Sequence, residues 1–244
     1  MKIAVFDDHQ VMSFQAARMI ATQIKNKPDS VICLASGETP FLAYHLLSTL
    51  LLGEGVDHQQ FTLIDLDEWV NIPSQNTGSC SYFLHTTLIG PLKLSLSQFK
   101  LFDGIALDLQ AECDAMDEFI SKRGGIDLMV VGIGMNGHIG FNEPGVSTEL
   151  YTHVIELDDT TRTVGQKYFA GKTTLGQGIT LGLKHLQESN SVLLMASGDR
   201  KARIMKATLE GTIDPLVPST IIRNHSNGLV MLDQKAASLL TPDE

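Results

Sequence analysis

The residues best placed to do chemistry lie in the stretch GIGMNGHIGFNEPG, residues 132–145, where five glycines surround His138 and Asn142, Glu143 and Pro144 follow closely. Glycine lets the backbone adopt positive φ and approach a ligand closely, so this loop can wrap a small polar molecule. His138 projects from it, and Glu143 can return to touch the imidazole or the ligand. A carboxylate beside an imidazole fixes the ring's tautomer and stabilises its cation, which makes an acid–base pair. The bland alternative is a histidine that only satisfies loop backbone; the glycine and acid context argues against it. The segment also spells GxGxxG at Gly132, Gly134 and Gly137, but one mid-chain match is weak evidence for a dinucleotide. The other histidines have no HxH or HExxH spacing, and Cys33, Cys80 and Cys113 stand apart with no CxxC, so no zinc site is expected.

Two further stretches carry candidate groups. LIDLDEWV ends an apolar run with Asp65, Asp67 and Glu68. A carboxylate there is partly desolvated, which raises its pKa and makes it a better proton acceptor near neutrality. These acids could equally cap the next turn. Strand alternation sends Asp65 and Asp67 to the same side, so spacing does not choose between them. VICLASGETPF runs a buried strand into Ser36-Gly37, after which Thr39 can cap a helix starting at Pro40. A glycine turn feeding a helix start is a seat for an anion, compatible with Glu38 only if that side chain points away. VLLMASG (192–198) echoes VICLASG (31–37) and precedes Arg200, Lys201 and Arg203. One phosphate could be shared between the two turns with Lys201 as counter-charge; alternatively both are plain strand ends.

The elements that must hold these loops are legible as short apolar runs: VICLAS, FTLIDL, IDLMVVGIG, SVLLMAS and GLVMLD. Unalternating Val/Ile/Leu runs read as parallel strands buried on both faces. Helical patterns at 14–24, 40–51, 113–123 and 200–210 lie between them, with loops at 70–80 and 144–152. This alternation predicts one doubly wound α/β domain over 1–244, with ligands bound beyond the carboxyl ends of the strands. The net charge of −10, from 28 acidic and 18 basic residues, and the scatter of the basic residues argue against nucleic acid. No signal peptide or membrane span is apparent, so a cytoplasmic setting without a membrane partner is expected.

In order and spacing, LASGETP, LDEW and GIGMNGHIGFNEPG resemble the glucosamine-6-phosphate and galactosamine-6-phosphate deaminase/isomerase family over almost the whole chain. The resemblance implies a modified Rossmann-like sandwich with a mostly parallel central sheet and a cofactor-free, metal-free reaction on a small-molecule sugar phosphate, catalysed by a monomer or homo-oligomer. It assigns Ser36, Gly37, Glu38, Thr39, Lys167 and Lys201 to the 6-phosphate, Asp67 to proton transfer between C2 and C1, His138 to ring opening and Glu143 to its support. Asn136 stands where many members have Asp; an amide can orient His138 but cannot stabilise its cation by charge. LDEWV, KPDSVICLASG, GGIDLMVVGIG and GITLGLKHL are closest to the galactosamine branch, with the glucosamine reaction as the alternative. The resemblance does not extend to the basic residues with which hexameric bacterial members bind an allosteric amino-sugar phosphate, since GVSTELYTHVIEL has neither Lys nor Arg. Related 6-phosphogluconolactonases share the fold and the His loop but lack the Asn-Glu-Pro continuation. A non-catalytic sugar-phosphate sensor is a more distant reading.

Overall fold

Seven strands form one sheet in the computed structural model, which describes residues 1–241. They are β1 (Lys2–Phe6), β2 (Val31–Leu34), β3 (Thr62–Asp65), β5 (Phe99–Lys100), β6 (Leu128–Val131), β9 (Val192–Ala196) and β10 (Gly228–Asp233). The order is β1-β10-β9-β6-β2-β3-β5, and every adjacent pair is parallel. From β2 the chain builds outward through β3 to β5, then returns to β6 and builds the other way, so the order reverses between β2 and β6. That reversal opens a crevice at the strands' carboxyl ends, and the SGETP and GIGMNGH loops leave β2 and β6 on either side of it.

Alternate residues of the central strands feed two cores, which is why their sequence runs are apolar without a break. Ile32 and Leu34 pack with Met12, Ile20, Tyr44 and Leu47 of α1 (His9–Asn26) and α2 (Glu38–Gly53). Val31 and Cys33 face the opposite core with Met116 and Ile120 of α5 (Leu109–Lys122) and Met205 of α8 (Ala202–Glu210). Between α2 and α5, α3 (Cys80–Leu84) runs through a π-helical turn (His85–Ile89) into α4 (Gly90–Leu92). The remaining helices are α6 (Asp159–Gly165) and α7 (Leu183–Glu188). Asp8, Asp108 and Asp158 cap α1, α5 and α6 through their side chains.

The sequence expectation is wrong about how α2 begins. The helix opens at Glu38, not Pro40, and its N-cap is Gly37 at φ 129°, with no side-chain cap. A residue without Cβ makes that turn alone, which places Thr39 inside the first helical turn.

A second sheet, unforeseen in the sequence, joins β4 (Asp67–Trp69), β8 (Gln177–Thr180) and β7 (His153–Glu156) in antiparallel order β4-β8-β7. Trp69 anchors its own small core, with ring centroids 4.6 Å from Phe141 and 5.9 Å from Phe169. Gly165 and Gly178 sit against Trp69 and Phe141, where a Cβ would collide with the rings. Among the described residues, no helix is long and apolar enough to cross a membrane.

Candidate active site

A cavity of about 420 Å³ lies at the carboxyl ends of β2, β3 and β6. Ser36, Gly37, Glu38, Thr39, Asp67, His138, Lys167 and Lys201 all line it. Cys80, Thr161 and Tyr168 line it too, without having been singled out in the sequence. Glu143 and Asn136 stand behind His138 rather than in the wall.

The three acids of LIDLDEWV separate cleanly. Alternation does not relate Asp65 to Asp67, because β3 ends at the first and β4 begins at the second: the chain changes sheets at Leu66. Asp65 is buried and accepts the Phe102 amide at 3.2 and 3.0 Å, so it ties β3 to the loop after β5. Burial holds its carboxyl well above the usual range despite that bond. Glu68 is also buried and accepts from the Trp69, Cys80 and Ser81 amides at 2.8, 3.0 and 2.9 Å and from the Ser79 hydroxyl at 2.6 Å. It therefore serves the open N-terminus of α3. Glu68→Gln should cost about 2–4 kcal/mol of stability, because an amide leaves at least one of those buried donors without an acceptor. Urea denaturation measures it.

Asp67 is the acid that faces the cavity. It is 8% exposed, and burial, reinforced by the negative charge of Glu68, pushes its carboxyl up to about 7. Among the described residues, the single opposing contact is the Cys80 thiol, 3.5 Å from Oδ1. A carboxylate so poised accepts a proton near neutral pH and returns it readily.

His138 is set by the loop beneath it. Its ring lies directly over Gly134, where a Cβ would come 2.3 Å from Nε2. Gly137 and Gly140 carry φ 88° and 56° and make the turns on either side. Nδ1 meets Thr161 Oγ1 at 2.9 Å and Glu143 Oε2 at 3.4 Å. Burial would raise the Glu143 pKa, but hydrogen bonds from His138, Thr161 and Asn136 outweigh it and hold the carboxyl below its ordinary value. An ionised Glu143 assigns the ring proton to Nδ1 and leaves the Nε2 lone pair for the cavity.

Asn136 acts one step away from where the sequence reading put it. Its Nδ2 donates to Glu143 Oε2 at 3.0 Å and Asp158 Oδ1 at 3.4 Å, while its Oδ1 accepts the His138 backbone amide at 3.2 Å. It orients the glutamate and the loop, not the ring. An amide is suited to this post, because it can donate to two carboxylates at once.

The two strand-end turns that the sequence offers for an anion differ in the structure. At the first turn, Glu38 lines the cavity and pairs with Lys167, also in its wall, at 2.7 Å. The second turn is already filled: Asp233 accepts the Ser197 hydroxyl at 2.6 Å and the Gly198 amide at 3.0 and 3.1 Å. The echo of VICLASG in VLLMASG therefore does not build a second open turn, and among the described residues Lys201 is the one that reaches the cavity from that side. Lys201 donates to the Ile133 carbonyl, and burial, with the nearby charge of Lys167, pulls its ammonium down to about 8. The charge of Glu38, which pairs with Lys167, opposes that effect in part. Among the described residues, no group of three or more His, Cys, Asp or Glu side chains could hold a metal ion.

A family model described as glucosamine-6-phosphate isomerases/6-phosphogluconolactonase matches residues 8–231. A glucosamine-6-phosphate deaminase of Clostridium botulinum (strain Alaska E43 / Type E3) is 36% identical over 245 residues, covering 100% of this chain and 98% of its own. One from Geobacillus sp. (strain WCH70) is 38% identical over 245 residues, with 100% and 97% covered. Among solved structures, a monomeric glucosamine-6-phosphate deaminase superposes with TM-score 0.95 at 34% identity, over 98% of this chain and all of that one. The 6-phosphogluconolactonase of Trypanosoma brucei shares the fold, with TM-score 0.80 at 18% identity and 98% of each chain covered. The chain belongs to the glucosamine-6-phosphate isomerase/6-phosphogluconolactonase family.

Proposed function

We propose that the protein deaminates and isomerises a hexosamine 6-phosphate, releasing ammonia and a ketose 6-phosphate. The observation that carries this reading is a buried carboxyl held near pH 7 in the same cavity as an imidazole whose far nitrogen is fixed by an acid. The Asn-Glu-Pro continuation and the deaminase relatives support it over lactone hydrolysis.

In this reading the 6-phosphate is held by the amides of the Ser36–Thr39 turn and by Lys201 and Lys167. Phosphate would replace Glu38 as the partner of Lys167 and would raise the pKa of Lys201 as it binds. His138 Nε2 moves protons between the ring oxygen and the anomeric hydroxyl, giving the open-chain aldehyde. Glu143 stabilises the imidazolium, and Thr161 and Asn136 keep the pair aligned. Asp67 takes the proton from C2, which the neighbouring carbonyl acidifies, and delivers it to C1 through an enolamine. The ketose imine then adds water and loses ammonia. General acid–base catalysis supplies about 10²–10⁴-fold per group, and anchoring the phosphate supplies much of the orientation.

The finer substrate reading is galactosamine 6-phosphate going to tagatose 6-phosphate, carried by the sequence resemblance around LDEWV. Glucosamine 6-phosphate going to fructose 6-phosphate is the second reading, favoured by the names of the relatives at 36–38% identity. The two sugars differ only at C4. Ammonia release from both, measured side by side with 6-phosphogluconolactone hydrolysis, tests the proposal. Substantially higher kcat/KM on one hexosamine is expected; lactone hydrolysis without ammonia release would reject the reaction. Lys201→Met should raise KM by about 10–100-fold and kcat/KM should fall in step, because a charge-assisted hydrogen bond to phosphate is lost. Initial rates against substrate concentration measure it.

A further inference from the structure

Among the described residues, Cys80 is the one group that hydrogen-bonds the Asp67 carboxyl, and the sequence gives it no role. It opens α3, and its backbone is fixed where it stands by the bond from its amide to Glu68. Its Sγ receives the Ser36 hydroxyl at 2.9 Å and lies 3.5 Å from Asp67 Oδ1. Burial, then the charges of Glu68 and Asp67, push the Cys80 thiol well up, so sulfur keeps its proton and acts as a donor. The result is a directed chain in which Ser36 O–H points to sulfur and S–H points to the carboxylate. Ser36 sits at the turn proposed to hold phosphate, so the chain joins the anion seat to the base.

We propose that Cys80 is a positioning residue for the Asp67 base: its thiol fixes one carboxylate oxygen, leaves the other for the substrate, and stabilises the ionised form. The other titratable groups whose charges couple to Asp67 are Asp65, Glu68, Cys33 and Tyr44. Of these, Glu68 is the one whose charge disfavours ionisation of Asp67, while the charge of Asp67 raises the pKa of Asp65, Cys33 and Tyr44, so the thiol is the contact that opposes burial and Glu68. Steric support alone would be met by any small residue at position 80. A donor is met by serine but not by alanine.

The kinetic test rests on the reading of Asp67 as the base; the spectroscopic test does not. In wild type, Cys80→Ala and Cys80→Ser, the acid limb of kcat/KM against pH is measured for ammonia release. Removing a hydrogen bond to the charged form raises the pKa, so the alanine limb should move up by about 0.5–1 pH unit, with serine returning close to wild type. Rates on the alkaline plateau should stay within a few-fold in both. An alanine limb coincident with wild type, or a serine limb that matches alanine, would overturn the proposal. Wild type that releases no ammonia would instead reject the proposed reaction. Infrared spectroscopy then still decides the contact: the Cys80 S–H stretch, isolated by subtracting the Cys80→Ser spectrum, should move to higher frequency in Asp67→Ala. An S–H band that does not respond to that change would also overturn the proposal.

Discussion

Asp67→Asn is expected to lower kcat for ammonia release by at least about 10³-fold while KM stays within a few-fold, because it removes the proton acceptor without altering shape or the phosphate seat. The same variant should be more stable than wild type at alkaline pH. A carboxyl at about 7 in the folded chain, against an ordinary value of 3.8, is protonated in both states below about pH 4 and contributes nothing there. As pH rises from about 4 to 7 the unfolded chain releases its proton first, so wild type loses stability through that window. The loss levels off above pH 7 at no more than about 4 kcal/mol. Asparagine has no proton to release, so urea midpoints of the two proteins should converge at pH 4 and diverge at pH 8 in favour of the variant. Loss of activity with a gain in stability is the signature of a strained functional carboxyl. Equal midpoints at both pH values would mean that Asp67 is not desolvated.

Gly134→Ala is expected to cost about 10²–10³-fold in kcat. Its new Cβ would lie 2.3, 2.4 and 2.5 Å from His138 Nε2, Cε1 and Cδ2, so the imidazole must swing away. Swinging away breaks the Nδ1 contacts with Thr161 and Glu143, and with them the tautomer and the aim of Nε2. Overpacking of this kind also costs about 1–3 kcal/mol. Steady-state rates and the imidazole nitrogen resonances of His138 measure the two parts. Activity within three-fold of wild type would show that the ring is free to stand elsewhere.

What the sequence could convey follows a physical rule. Strands buried on both faces must be apolar without interruption, so β2, β3, β6, β9 and β10 were all visible as runs, and the crevice followed from their order. Edge strand β1 is partly exposed and β5 is two residues long, so neither leaves such a run. The antiparallel sheet was hidden because β4 follows β3 after one residue, and the pair reads as one strand. That concealed sheet change is also why periodicity treated Asp65 and Asp67 alike. Local glycine and acid density pointed to His138 and Glu143. Thr161, Cys80 and Asp233 come from distant segments with ordinary local sequence, and only the fold brings them to the imidazole, the base and the second turn. For Asn136, side-chain geometry decides: an Asn two residues before a histidine can bond its backbone as easily as its ring.

A single buried base working on one face of the sugar has a stereochemical consequence. Let the hexosamine 6-phosphate that supports ammonia release be converted in deuterium oxide, and let the C1 hydrogens of the ketose be read by proton NMR. Wild type should carry the C2 hydrogen to one of the two C1 positions, with any solvent deuterium that exchanges onto Asp67 entering that same position only, and Asp67→Asn should form essentially no ketose. Deuterium distributed over both positions, or ketose formation by Asp67→Asn at a rate close to wild type, would contradict proton transfer by Asp67.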